Sequence, residues 1–232
     1  MSIKQHFARW KETEAAKLRP MTAKQRAGYI LHYYRFWFIG LALLLLVGFY
    51  IGDAVIQSHK EILLQGFFTN DAYNLFPAEK IEKDYAATQD LTKRQRIVFD
   101  DTLYIDLGGE ASDYTAASNG KLVAYTMTHE LDFVVTSDEV LAYYKDHMPM
   151  KDLREILPAD LQQQLGGALY TATDSEGKQS SLAVDMTGSR FVAGTGADAD
   201  PRVEHTYYLF VPESAPHTEQ IISFLRYAFR LE

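Results

Sequence analysis

The hydrophobic pattern changes character three times along the chain. In residues 3–18, Ile3, Phe7, Trp10, Ala15 and Leu18 fall loosely on one side of a helix, and Pro20 ends it. Thr22 stands where an N-cap would, ahead of a second helix. Residues 36–52 are then apolar all round, with four consecutive leucines (Leu43, Leu44, Leu45, Leu46) and no charge. As a helix this run rises about 26 Å, slightly short of a hydrocarbon core of roughly 30 Å. Residues 27–34 are apolar or interfacial and extend the helix inward, and Arg35 can carry its charge back to the interface. Tyr33, Tyr34, Phe36, Trp37 and Phe38 at one end, and Phe49 and Tyr50 at the other, fit interfacial aromatic belts. A transmembrane helix is the expectation.

After residue 57 short strand and helix patterns alternate. Residues 57–66 read as a stalk or the entry into a first strand, placed at Ile62–Thr69. Pro77 opens a helix to about Gln89, with Ile81 and Tyr85 one turn apart. Arg96–Leu107 alternates as a long strand, with a slip near Asp100 and Asp101. Ser112 or Asp113 caps a helix through Met127, with Leu122, Val123 and Tyr125 facing inward. Leu131–Thr136 has the apolar run of a strand buried in a parallel sheet. Thr136 to Glu139 has capping-box spacing, and Val140, Leu141, Tyr143 and Tyr144 give the following helix its apolar face. Met150–Leu157 is a connector, and a helix from Pro158 ends at Gly166 and Gly167. A hairpin (168–173 and 181–185), a loop (194–201), a strand (Glu204–Val211) and an amphipathic helix (His217–Phe229) complete the series. The alternation predicts an α/β domain.

Charge divides the chain in the same way. Residues 1–35 carry eight Lys/Arg and two Glu, and the remainder 15 Lys/Arg against 29 Asp/Glu. Four basic residues (Arg19, Lys24, Arg26, Arg35) lie in 18–35, while Lys60 is alone in 53–75, so the positive-inside rule places the N-terminus in the cytoplasm. The expected layout is a cytoplasmic basic arm (1–21), a juxtamembrane and transmembrane helix (22–56, apolar core 36–52) and an extracytoplasmic α/β domain (57–232) in the cell membrane. The lipid bilayer is the first partner. The acidic domain repels a phosphate backbone, so nucleic acid is not expected. A buried core helix of a soluble protein is disfavoured by the lopsided flanks. A signal peptide cleaved near Gly52-Asp53-Ala54 is disfavoured by the 35-residue leader. Gly48 and Gly52 match a helix-pairing motif, and the arm is either a lipid-surface helix or a topology signal.

Three segments carry a family resemblance: Asp113-Tyr114 leading into Thr128-His-Glu-Leu-Asp-Phe-Val-Val-Thr136; Met150-Lys-Asp-Leu-Arg-Glu-Ile-Leu-Pro158; and Tyr208 through Leu225, with its strand, Pro turn and Phe-Leu helix. They resemble the solute-binding (periplasmic binding) proteins of bacterial uptake systems over residues 62–230. Those proteins usually have two larger lobes and are free or lipid-anchored; this domain is about 175 residues and the chain has no Cys to carry a lipid, so at least one lobe is reduced. The layout also resembles bacterial single-pass proteins with a small extracytoplasmic domain. The resemblance implies a membrane-tethered solute-binding-like module that captures or senses a small molecule or peptide.

Catalytic chemistry is sparse. The seven His have no metal-ligand spacing, the acidic residues around 100–113 lack the alternation of a calcium loop, and Gly194-Thr-Gly196 is not a dinucleotide fingerprint. No serine lies in a nucleophile motif, and zero cysteines exclude thiolate chemistry. No metal, no cofactor and no enzymatic activity are expected. Ligands of open α/β sheets sit beyond the carboxyl ends of strands, at helix N-termini. That selects Ser112, Asp113 and Tyr114; Thr136, Ser137 and Asp138; and Thr187, Gly188 and Ser189 as ligand-binding candidates. Each set equally makes an ordinary cap or turn. The alternative function is an interaction or assembly module of a membrane complex, with a membrane protein as partner, which has lost ligand binding and shows an exposed apolar patch.

Overall fold

A computed structural model describes residues 13–108, 112–173, 177, 179–197, 200 and 206–231. The chain divides into two compact units, Met1–His59 and Lys60–Glu232.

In the first unit, residues 13–18 are helical and the chain turns through Pro20; the rest of the expected arm helix lies outside the described residues. Helix α1 (Ala23–Tyr33) starts as Thr22 and Gln25 suggest. The Thr22 hydroxyl accepts from the Gln25 backbone N–H, and the Gln25 side chain accepts from the Thr22 N–H, a reciprocal capping box. Tyr34 interrupts the helical dihedrals (φ −102°, ψ 14°) before α2 (Arg35–Ser58). The 24 residues of α2 rise about 36 Å and none is buried in the protein; this is one helix long and apolar enough to cross a membrane. It ends at Ser58 and the first strand starts at Glu61, so no stalk intervenes.

The second unit is a six-stranded mixed sheet with helices on both faces. Its strands are β1 (Glu61–Thr69), β2 (Gln95–Leu103), β3 (Phe133–Ser137), β4 (Leu169–Thr173), β5 (Gln179–Asp185) and β6 (Tyr207–Phe210), in the order β2-β1-β3-β6-β5-β4. β1 runs parallel to β2 and β3, while β6 is antiparallel to its neighbours β3 and β5, and β4 is antiparallel to β5. Thus β1, β2, β3 and β5 all end at one edge. Helices α3 (Ala78–Ala86), α4 (Asp113–Met127), α5 (Asp138–Tyr144), α6 (Leu153–Ile156), α7 (Ala159–Leu165) and α8 (Thr218–Phe229) complete the unit.

Alternation along the central strands sorts the core into two layers. Leu64 and Phe68 of β1, Phe133 and Val135 of β3, and Leu209 of β6 pack with α3, α6, α7 and α8. Phe67, Val134 and Phe210 point the other way, onto Leu122 of α4 and Val140, Leu141 and Tyr144 of α5. Gly66 lets the first layer close: a Cβ there would lie 2.2 Å from Cζ of Phe133. The Phe133 ring stacks on Phe224 of α8 at 4.6 Å and meets Phe68 and Phe99 edge-on.

Several local expectations change. β2 carries the slip, an irregular register between Asp100 and Leu103, but it ends at Leu103 and not Leu107. Beyond that point side chains take the backbone: Ser118 Oγ accepts from Tyr104 N (3.2 Å) and Asn70 Oδ1 from Ile105 N (2.8 Å). The expected capping box at Thr136 does not form. Ser137 is the N-cap without a side-chain bond, and the Thr69 hydroxyl donates to Thr136 Oγ1 at 2.6 Å inside the sheet. The 204–211 strand is four residues long, with 204 and 205 outside the described residues.

Candidate functional site

The three sequence-derived sets converge on the carboxyl edge of the sheet. Thr136 and Ser137 end β3, with Asp138 opening α5. Thr187, Gly188 and Ser189 follow β5, which runs in the direction of β3. Tyr114, at the start of α4, donates its hydroxyl to the Thr102 carbonyl near the end of β2.

Several of their polar atoms serve the fold. Thr136 is fully buried with its hydroxyl held by Thr69. Ser112 Oγ accepts from Thr115 N at 3.1 Å as the N-cap of α4. Asp138 N donates to the Thr206 carbonyl, and Thr187 N to Asp185 Oδ1 at 2.8 Å. Ser189 is fully buried, its hydroxyl without a partner among the described residues. None of the nine lines the groove that the fold does create.

That groove, about 540 Å³, lies between α4 and α5 on the thinner face. Its origin is the way α4 packs. The helix turns Thr115, Ser118 and Leu122 onto the sheet, two of them small and polar. The stripe Asn119, Val123 and Met127, each one turn from the next, is left facing out. Val123 is 45% and Met127 76% exposed, which overturns the inward placement of Val123. From the other wall come Tyr143 (41% exposed) and His147, whose rings stack at 4.2 Å; the expected inward place of Tyr143 is likewise overturned. Leu107, also 41% exposed, and Asp106 close one end.

The floor is tied by one hydrogen bond across the helices. Tyr144 donates its hydroxyl to Asn119 Oδ1 at 2.8 Å. Burial pushes the Tyr144 phenol up to about 12, so it remains a neutral donor at physiological pH. Asn119 accepts this bond through its side-chain oxygen. The site therefore offers an apolar trough with a few fixed polar groups, the composition of a recognition surface. Among the described residues, no group of three His, Asp or Glu is placed to hold a metal ion. Comparison with protein families, curated proteins and solved structures finds no match.

The sequence carried a signal for this groove in the helical stripe Asn119–Val123–Met127, which competes with Thr115–Ser118–Leu122 for the sheet. Periodicity alone does not say which stripe packs. The backbone just beyond β2 bears on the choice: Ser118 Oγ accepts from the Tyr104 N–H.

Proposed function

We propose that this chain is a membrane-tethered, non-enzymatic docking module, and that the α4–α5 groove takes an apolar, positively charged segment of a partner membrane protein. The observation that carries the proposal is the exposure of Val123, Met127, Tyr143 and Leu107 around one trough. A helix that spends small polar residues on its core face and keeps Val and Met outside leaves apolar area uncovered, which is favourable only when something covers it.

Charge argues for the occupant. Beyond residue 35 acids outnumber bases about two to one, so a cationic segment is attracted. The tether is α2, with the cytoplasmic side set by Arg19, Lys24, Arg26 and Arg35; the acidic unit then faces the extracytoplasmic side. Solute capture of the two-lobed kind fits less well. It uses a cleft between lobes, and the described residues build one sheet.

Both core layers draw only on residues after Lys60, so the unit can be tested without the helices. The probe is an amphipathic Leu/Lys helical peptide, with its Leu/Glu counterpart as control, titrated by fluorescence anisotropy. Saturable binding of the Leu/Lys peptide is expected, weakened at least tenfold, or about 1.4 kcal/mol, by Val123→Asp with Met127→Asp. Equal binding of both peptides, or no loss in the double variant, would overturn the reading. So would preference of the unit for lipid vesicles over the peptide.

A further inference from the structure

A second cavity, about 340 Å³, opens on the opposite face of the sheet, between α3, the loop that follows Ser189, and the end of α8. Its wall carries three cations, Lys80, Arg190 and Arg230, against one carboxylate, Asp84. Elsewhere in this acidic unit Lys121 meets Asp100, Lys145 meets Asp146 and Arg226 meets Asp160, while Lys83, Lys93 and Arg94 stand exposed on the surface without an ion pair among the described residues. Lys80, Arg190 and Arg230 have no ion pair among the described residues. What sets Lys80, Arg190 and Arg230 apart is that all three line one cavity with a single carboxylate, in a unit where acids are in twofold excess.

Each is delivered by a different element. Arg190 is pinned by its backbone N–H, which donates to the Ala228 carbonyl at 2.8 Å, and its guanidinium lies 4.1 Å from the ring centroid of Tyr227. Stacking holds the plane of the fork through its face and leaves the N–H edges for an acceptor. Arg230 caps α8 in the left-handed region (φ 56°), where glycine is the ordinary choice. The negative end of the helix dipole accounts for a cation at Arg230. It does not account for Lys80, at the start of α3, or for Arg190.

We propose that this cavity binds a phosphate group, with Arg190 as the bidentate clamp and Lys80 and Arg230 as flanking charges. A carboxylate would be neutralised by one of the three; a dianion uses more of them. Leu75 and Phe191 give the wall an apolar part for whatever the phosphate is attached to. A soluble phosphate ester and a phosphomonoester lipid headgroup share this chemistry.

The test uses the full chain in nanodiscs of zwitterionic lipid, titrated with inorganic phosphate by calorimetry against sodium chloride of equal ionic strength. Saturable phosphate binding is expected, weakened at least tenfold by Arg190→Gln and several-fold by Lys80→Gln, with Lys145→Gln unchanged. Lys80 is exposed and makes no contact that the fold needs, so its variant remains informative if Arg190→Gln disturbs the loop. No phosphate response beyond that of chloride, or equal binding by wild type and both variants, would overturn the site. Vesicles containing phosphatidic acid that compete with inorganic phosphate assign the headgroup as the source; vesicles that do not compete assign a soluble ester.

Discussion

On one face of the sheet, Leu64, Phe68, Phe99 and Phe133 meet four helices and the aromatic rings of Phe76, Tyr85 and Phe224. On the other, Phe67, Val134 and Phe210 pack with two of the described helices, α4 and α5. The first face is closed by close approach, with Phe133 lying where a Gly66 side chain would be. The second is closed in part by Thr115 and Ser118, and its apolar residues Val123 and Met127 look outward. The crowded face is closed by dense packing, and the thin face leaves apolar area exposed at Val123 and Met127. Substitutions on the two faces therefore have different consequences.

A large effect falls where the faces are joined. Asp132 is fully buried at the amino end of β3. Its carboxylate accepts from Gln65 N (2.7 Å), His217 N (3.0 Å) and His217 Nδ1 (3.1 Å), tying β1 and β3 to the start of α8. Asp132→Ala strands these donors and is expected to cost about 3–5 kcal/mol in denaturant unfolding of the Lys60–Glu232 unit. Asn in its place also costs, because its amide would point a donor at donors. A loss under about 1 kcal/mol would mean that the α8 junction is not held this way.

Next is Gly66→Ala. The added methyl overlaps Phe133, whose ring is fixed by Phe68, Phe99 and Phe224 and has no free direction to move. Overpacking of about 2–3 kcal/mol is expected by the same measurement. Phe133→Leu placed on the Gly66→Ala background should recover part of the loss, because it removes the ring that clashes. If the double variant is no better than additive, the crowding is not the cause.

A smaller, pH-dependent effect belongs to the turn over the crowded face. Asp71 accepts from Leu75 N (2.8 Å) and Phe76 N (2.6 Å), and its burial, with Asp101 nearby, pushes its carboxyl above the usual carboxylate range. A carboxyl with a raised folded value binds its proton more tightly when folded. Its contribution thus favours folding as pH falls from the folded value toward the unfolded one, and this gain is absent at neutral pH. Asp71→Asn should remove that slope, so the stability of wild type relative to the variant should rise between pH 7 and pH 4. A difference that is flat across that range would contradict the assignment. Asp100 is the counter-case. Burial pushes it up, but Lys121 and Thr102 hold it below its usual value, so its contribution is lost as pH falls.

Local patterning carried the elements that depend on neighbours in sequence. The Thr22 cap, the helix from Ser112 to Met127, the strand at Ile62–Thr69 and the irregularity after Asp100 all follow from side-chain period or a cap residue. What sequence did not carry was set by partners far along the chain. Thr136 forgoes its capping role because Thr69 reaches it from β1, 67 residues earlier. The β2 strand stops early because Asn70 and Ser118 take its next N–H groups. The candidate ligand residues lie at the carboxyl edge, where the hydroxyls of Ser112 and Thr136 and the Asp138 N–H are engaged by the fold. Helix α4 was right in extent and wrong in rotation at Val123, because Ser118 faces inward to a hydrogen bond with Tyr104 that periodicity does not register.

That rotation yields the smallest expected stability effect and the sharpest separation of the two faces. Val123→Asp and Met127→Asp introduce charge into an exposed trough, so each should change the unfolding free energy by no more than about 0.5 kcal/mol. The same substitution one face away, Leu122→Asp on α4, buries an unpaired carboxylate against Phe67 and Val134 and should prevent folding of the unit. Val123 and Leu122 are adjacent in sequence and differ only in the face of the helix they occupy. If Val123→Asp destabilised the unit as Leu122→Asp does, α4 would be turned differently and the groove would be core. If it leaves stability intact while ending peptide binding, the thin face is kept apolar for its occupant, since nothing in the fold itself requires Val123 to be apolar.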